Sequence, residues 1–188
     1  MRPELYFPRD VELYDWFLNN HNQYPKGIYL IFYKIENEEL SMRWEEAVKT
    51  AICFGWIDST VKSLGNGKRK QLFTPRNPKS TWSALNKTYV LELERKGLIQ
   101  EPGFKIIEHA KKTGTWSTMD GPNKGIIPPE LQEAFNTNKK AFKFYNSLAP
   151  GYQKSYLRWL ATAKTTPTVL KRVSLIIDLC ENEIKSHN

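Results

Sequence analysis

The clearest hydrophobic pattern in the chain lies between residues 44 and 55. Its apolar or small positions are Trp44, Ala47, Val48, Ala51, Ile52 and Gly55. They follow the i, i+3, i+4, i+7, i+8, i+11 spacing that places side chains on one face of an α-helix. The spacing predicts a helix that is buried on one side, and the two acids in its first turn suit the helix dipole.

A β-hairpin is predicted directly after this helix. From Trp56 to Leu64 the pattern changes to a two-residue alternation, which is typical of a half-buried strand. The alternation assigns Ile57, Ser59 and Val61 to one face and Asp58, Thr60 and Lys62 to the other. A second strand over 69–74 follows Gly65-Asn66-Gly67, and Asn-Gly is a strong hairpin signal because both residues tolerate positive φ.

A polar turn and another helix are predicted next. Residues 74–80 are too rich in proline for regular structure. Ser80 or Thr81 is the expected cap of the following helix. Its apolar positions are Trp82, Leu85, Tyr89 and Leu93.

The N-terminal part adds a helix and further strands. A helix is predicted over 10–20, with its buried face formed by Val11, Tyr14, Phe17 and Leu18. Residues 28–34 are apolar without alternation, which predicts a strand buried on both faces. A short strand is also expected over 40–42.

No strand pattern occurs after residue 129, where helices are predicted over 129–136 and 138–148, from Pro150 and from Thr166. The sequence therefore predicts an α+β fold: a small sheet of three to four strands with helices packed on it, followed by an all-helical C-terminal region. The expected domains are 1–118 and 129–188. Residues 119–128, near several glycines and prolines, are the expected linker.

Composition and charge argue against a secreted protein and against a membrane-spanning protein. The chain has 188 residues, 40% of them hydrophobic, and a net charge of +8, which is carried entirely by residues 76–188. No apolar segment follows the first ten residues, so no secretory signal is expected and the cytoplasm is the expected location. The longest apolar run, 28–33, is too short to cross a bilayer, so no membrane insertion is expected.

Metal and nucleophile chemistry are not predicted. The three histidines have no second ligand at metal-binding spacing, and no Gly-x-Ser-x-Gly motif surrounds a serine. Cys53 and Cys180 lie at apolar helical positions, which favours burial as small hydrophobic residues. We therefore expect no cofactor, no metal and no recognised catalytic motif.

The strongest predicted site combines aromatic and polar side chains around the hairpin and the turn. Its residues are Trp56, Asp58, Lys62, Gln71, Phe73, Arg76, Ser80, Trp82 and Asn86. Aromatic rings offer stacking faces and Arg76 offers planar donors, so a small anionic or planar ligand is the predicted partner. The alternative is structural: Asp58 pairs with Arg76, Ser80 caps a helix and the tryptophans fill the core.

Basic and aromatic residues also alternate in the helical region. The basic ones are Lys139, Lys140, Lys143, Lys154, Arg158, Lys164, Lys171 and Arg172, and the aromatic ones are Phe142, Tyr145, Tyr152, Tyr156 and Trp159. This mixture suits single-stranded nucleic acid, where bases stack and phosphates pair with cations. Because the aromatic residues follow helical core spacing, a packed core with a basic exterior is the favoured interpretation.

Three segments resemble the bacterial YdeI/OmpD-associated family of bacteriocin-protection proteins. They read AICFGWIDSTVK from residue 51, KQLFTPRNPKSTWSALN from residue 70, and YLRWLATAK from residue 156. The resemblance implies a binding or interaction protein with a role in tolerance of bacteriocins or cationic peptides, with its protein partner unidentified. The segment Thr165-Thr166-Pro167-Thr168 departs from the family pattern, in which an acid and an arginine are expected there. An enzyme acting on a small anionic metabolite at Asp58 and Arg76 is a further hypothesis.

Overall fold

The computed structural model describes residues 2–186, and the chain divides into two compact units. The N-terminal unit is Met1–Thr115 and the C-terminal unit is Trp116–Asn188. Each unit has its own core, and each is described by itself below.

The N-terminal unit contains a four-stranded mixed sheet. Its strands are β1 (Glu4–Tyr6), β2 (Ile28–Tyr33), β3 (Trp56–Gly65) and β4 (Lys68–Pro75), in the order β1-β2-β4-β3. β1 is parallel to β2, and the other neighbours are antiparallel. The helices are α1 (Asp10–Asn20), α2 (Trp44–Cys53), α3 (Ala84–Arg95) and α4 (Glu101–Thr113). The predicted α+β fold is therefore confirmed.

One face of the sheet packs into the core of the N-terminal unit. Ile28, Leu30 and Phe32 of β2 share a face with Phe73 of β4, and all four are almost fully buried together with Phe17 of α1. The intervening Tyr29 and Tyr33 are only half-buried. Ile31, which lies between these two tyrosines on the same face, is 7% exposed, so the prediction that β2 is buried on both faces holds at Ile31 but not at Tyr29 and Tyr33.

The hairpin turn follows the prediction. Asn66 and Gly67 both have positive φ, 48° and 69°, as a two-residue turn between twisted strands requires. Gly67 is needed for a second reason, since a Cβ on it would lie 2.2 Å from Oδ1 of Asn37.

Three local predictions in this unit are wrong. Residues 40–42 form no strand, and the fourth strand is instead β1, whose three residues carry too little pattern to be recognised. In α1 the fully buried residues are Leu13 and Phe17, while Val11 and Leu18 are exposed. Helix α3 is capped by Ser83, whose side chain accepts from the backbone N–H of Asn86, so the helix begins later than the sequence indicates.

The C-terminal unit is helical throughout its regular elements. They are α5 (Asp120–Lys124), α6 (Pro129–Thr137), α7 (Lys139–Ser147), α8 (Pro150–Ala161) and α9 (Thr166–Glu181). The core is formed by side chains that include Leu131, Phe135, Tyr145, Tyr156 and Ile176. Among residues 2–186, no helix has both the length and the apolar character needed to span a membrane.

Candidate functional site

Asp58 lies at the centre of a small polar network on the buried face of the hairpin. Its Oδ2 accepts hydrogen bonds from Nε1 of Trp44 at 2.9 Å and from Nε2 of Gln71 at 2.5 Å. Gln71 is 3% exposed, and its Oε1 has no hydrogen-bond partner among the described residues. The network joins the start of α2 to the sheet, and Trp44 is a member that the sequence did not single out.

Arg76 is buried directly after β4. Its Cζ lies 3.7 Å from the centre of the Trp82 ring, and its Nη2 donates to the carbonyl of Thr81 at 2.6 Å. Its Nε and Nη1 are also buried, and neither has a partner within residues 2–186. Burial lowers the pKa of the guanidinium to about 10, and the charge of Asp58 opposes this change.

Asp58 and Arg76 form no ion pair within the described part of the chain; Asp58 bonds instead to Trp44 and Gln71. The carboxylate therefore acts on the guanidinium only through its charge. The structure thus brings Asp58, Gln71, Arg76 and Trp82 to one region, but it divides them between two separate sets of contacts.

The predicted aromatic residues lie in the core. Trp56 and Trp82 are each 2% exposed and Phe73 is fully buried. Nε1 of Trp56 donates to the carbonyl of His21 at 3.1 Å, and its ring meets Phe17 edge-on at 5.2 Å between centroids. Trp56 thus packs against α1, and all three rings are buried rather than offering faces to a ligand from solvent.

Three predicted residues lie elsewhere. Lys62 is on the opposite face of the sheet, because a β-bulge between Asp58 and Val61 reverses the side-chain alternation. Ser80 donates to the carbonyl of Asn77 at 2.7 Å within the proline-containing turn. Asn86 lies in the first turn of α3.

An open cleft that the sequence did not indicate lies at the end of the sheet where β3 and β4 join. It has a volume of about 680 Å³ and is lined by residues 33–36 and 65–69, by Arg43, and by Val61 and Ser63. Its cationic residues are Lys34, Arg43, Lys68 and Arg69, and its only carboxylate is that of Glu36. We call it the basic cleft.

The cations of the basic cleft are not neutralised by neighbours. Within residues 2–186 none of the four forms an ion pair with an acid. Two lie on aromatic rings instead: Lys68 over Tyr33 and Arg69 over Phe32, each 5.4 Å from the ring centre. The cationic run 68–70 was visible in the sequence, but Lys34 joins it only through the register of β2, where its N–H donates to the carbonyl of Gly67 at 2.8 Å.

Groups suited to metal or thiol chemistry are not assembled in the described residues. No cluster of three His, Cys, Asp or Glu side chains that could hold a metal ion occurs among them. Cys53 and Cys180 are buried, as their helical spacing predicted, and burial raises their pKa values to about 12 and about 11. Both thiols are therefore protonated at neutral pH.

The predicted basic and aromatic helices pack with most of their rings inward. Tyr145 and Tyr156 belong to the core of the C-terminal unit, while Tyr152 is 46% exposed. Cζ of Arg172 lies 4.8 Å from the Trp159 ring centre.

The fold and the basic cleft together define an α+β protein whose N-terminal unit presents an open cleft with four cationic side chains. A family model described as Domain of unknown function (DUF8412) matches residues 5–106, more than half of the chain, and the chain belongs to this family. A second model, described as Bacteriocin-protection, YdeI or OmpD-Associated, matches residues 124–183. No curated protein and no solved structure matches the chain significantly.

The resemblance to the YdeI/OmpD-associated family is thus confirmed over the C-terminal region. Its third segment, from residue 156, falls inside that match. The first two segments, from residues 51 and 70, fall inside the region matched by the family of unknown function.

Proposed function

We propose that the N-terminal unit is a binding module for small anions that carry two or more negative charges, such as diphosphates or phosphate esters. The observation that carries this proposal is the basic cleft, in which four cations that pair with no acid among residues 2–186 surround an open volume of about 680 Å³. A volume of this size lies within the usual range for small-molecule sites. Nearby cations repel one another, so an anion bound among them gains attraction and also relieves that repulsion.

The geometry of the donors supports a phosphate-like ligand. Arg43 and Arg69 have planar guanidinium groups that can bind two oxygens at once, while Lys34 and Lys68 act as point charges. The turn at 65–67 adds backbone groups close to the same volume. The ligand therefore needs several oxygens and a compact shape.

The lining favours binding over catalysis. It contains one carboxylate, Glu36, and no histidine or cysteine. General acid–base catalysis requires a positioned group with a suitable pKa, and the described lining offers no matched pair of such groups. We therefore propose a binding protein rather than an enzyme.

The name of the C-terminal match suggests a role in tolerance of bacteriocins or cationic peptides. We propose that any such role is indirect, because a protein with a net charge of +8 repels cationic peptides. In that case the protein would respond to a small anion that binds in the basic cleft, and not to the peptide itself. A cytoplasmic location fits this proposal, since two unpaired buried cysteines suit a reducing compartment.

Calorimetric titration of the full chain with inorganic pyrophosphate at low ionic strength tests the proposal. We expect binding that the double variant Lys34→Gln, Arg43→Gln weakens by at least about tenfold, since each lost charged hydrogen bond costs about 1.5–3 kcal/mol. Lys105→Gln is the matched control, because this exposed lysine lies on α4 and pairs with Glu101. Absence of binding to the wild type at millimolar pyrophosphate, or equal affinity in the double variant, would contradict the proposal.

A further inference from the structure

The face of the sheet opposite the core carries a regular set of tyrosines and lysines. In β2, Tyr29 and Tyr33 alternate with the core residues, and the strand register places Tyr6 of β1 beside Ile31 on the same face. The register also places Lys70 opposite Ile31 and Lys68 opposite Tyr33. The β-bulge brings Lys62 to this face, opposite Lys70. We call these residues the open sheet face: Tyr6, Tyr29, Tyr33, Lys62, Lys68 and Lys70.

On the open sheet face, cations lie directly over aromatic rings. Nζ of Lys70 is 4.8 Å from the centre of the Tyr29 ring, and Nζ of Lys68 is 5.4 Å from that of Tyr33. The Tyr6 ring meets Tyr33 edge-on at 5.4 Å, and Tyr6 is 40% exposed. A base that stacks on either ring therefore takes the place of a lysine side chain above the ring face.

We infer that the open sheet face binds single-stranded nucleic acid, with bases stacked on the tyrosine rings and phosphates paired with the lysines. β2 and β4 are the central strands of a four-stranded sheet, and aromatic residues on central strands stack two or three bases in known sheet-based RNA-binding domains. Every base has a flat face, so stacking of this kind tolerates many sequences. An acidic peptide would match the lysines but would leave the tyrosine rings unused.

This inference goes beyond the proposed function, although the two surfaces meet. Tyr33 and Lys68 belong to the open sheet face and also line the basic cleft. A strand that leaves the sheet at this end therefore encounters a second group of cations that suits its phosphates. Tyr29 does not line the cleft, so a substitution of Tyr29 tests binding to the open sheet face alone.

Glu4, an acid on the same face, allows a test in which a substitution should strengthen binding. Glu4 of β1 forms an ion pair with Lys70 and neutralises it in the free protein. Replacing Glu4 by glutamine releases the lysine for a phosphate without altering the shape of the side chain. A nucleic-acid ligand should therefore bind more tightly to the Glu4→Gln variant.

Fluorescence anisotropy with labelled oligo(dT) of about ten nucleotides tests the inference on the full chain. We expect Tyr29→Leu to weaken binding by at least about fivefold through lost stacking, while Tyr29→Phe, which keeps the ring, stays within about twofold of wild type. Glu4→Gln should bind more tightly, and Lys105→Gln should be unchanged. If three lysines each contact a phosphate, affinity should fall about 20-fold between 50 and 200 mM salt.

Several outcomes would overturn the inference. Wild-type protein that does not bind oligo(dT) at the lower salt, or Tyr29→Leu and Tyr29→Phe variants that bind it equally well, would do so. Binding of polyglutamate as tight as that of oligo(dT), and insensitive to Tyr29→Leu, would show that the face takes acidic protein instead. The pyrophosphate titration should be unaffected by Tyr29→Leu, so failure of the sheet face and failure of the basic cleft are told apart.

Discussion

Arg76 allows a direct test of whether the charge or the packing of a buried guanidinium stabilises the N-terminal unit. Burial lowers its pKa from 12.5 to about 10. Because one pKa unit corresponds to about 1.4 kcal/mol, keeping this group charged in the folded state costs about 3 kcal/mol. Because the pKa is lowered in the folded state, this cost is present at every pH below about 10 and decreases only as the pH rises from 10 towards 12.5.

Favourable contacts offset this cost. The hydrogen bond from Nη2 of Arg76 to the carbonyl of Thr81 contributes about 1.5–3 kcal/mol, and the stack on Trp82 contributes up to about 2 kcal/mol. The aliphatic stem adds the burial of its methylene groups, each worth about 0.8 kcal/mol. Arg76→Met keeps the stem and removes both the charge and its contacts, so we expect its stability to lie within about 1.5 kcal/mol of wild type.

Two further variants separate charge from packing. Arg76→Ala also loses the stem and leaves a cavity, so it should be at least about 2 kcal/mol less stable than Arg76→Met. Arg76→Lys keeps a buried charge but loses the planar stack, and it too should be less stable than Arg76→Met. Urea unfolding followed by tryptophan fluorescence measures the free energies. A methionine variant as unstable as the alanine one would refute the reasoning, because it would show that the charge itself holds the turn in place.

Two other predictions concern packing and pH. A Cβ on Gly103 of α4 would lie 2.4 Å from the carbonyl oxygen of Cys53, so Gly103→Ala should lower the free energy of unfolding by about 2–3 kcal/mol in thermal or urea unfolding. Gly151→Ala is the control, because Gly151 also follows a proline in the first turn of a helix but has open space around it. This change should be neutral or slightly stabilising. Equal effects of the two changes would disprove the close approach. Glu92 pairs with Lys49 and with a second lysine, which lowers its pKa to about 2. Its contribution is therefore complete above pH 4.5 and lost as the pH falls through 2, so Glu92→Gln should be less stable than wild type at pH 6, and this difference should shrink steadily as the pH is lowered from 4.5 to 2.

The elements predicted well from the sequence are those whose cause is local. Helix α2 follows from five apolar positions with helical spacing between Trp44 and Ile52, and the turn follows from Asn66 and Gly67, which both adopt positive φ. Neither depends on which strand lies next to which. The buried side of α1 was harder to predict, because Leu13 and Val11 are both apolar and only the tertiary packing buries Leu13 and leaves Val11 exposed.

The candidate site shows where local reasoning fails. The alternation in β3 placed Asp58 and Lys62 on one face, but the β-bulge between Asp58 and Val61 separates them. A bulge arises from the pairing of two strands, and the pairing register is not a property of either strand alone. One extra residue therefore sends Asp58 to the buried network with Gln71 and sends Lys62 to the open sheet face.

The same register decides which cations are available to a ligand. Lys70 of β4 forms an ion pair with Glu4 of β1. Lys68 and Arg69 lie over aromatic rings and pair with no acid among the described residues. In the sequence these three residues are one basic run. In the fold Lys70 forms an ion pair with Glu4, whereas Lys68 and Arg69 line the basic cleft from opposite sides of β4, because adjacent residues of a strand point to opposite sides. Affinity for anions should therefore depend on individual positions in this run, and an experiment that changes only the net charge of the hairpin would miss the distinction.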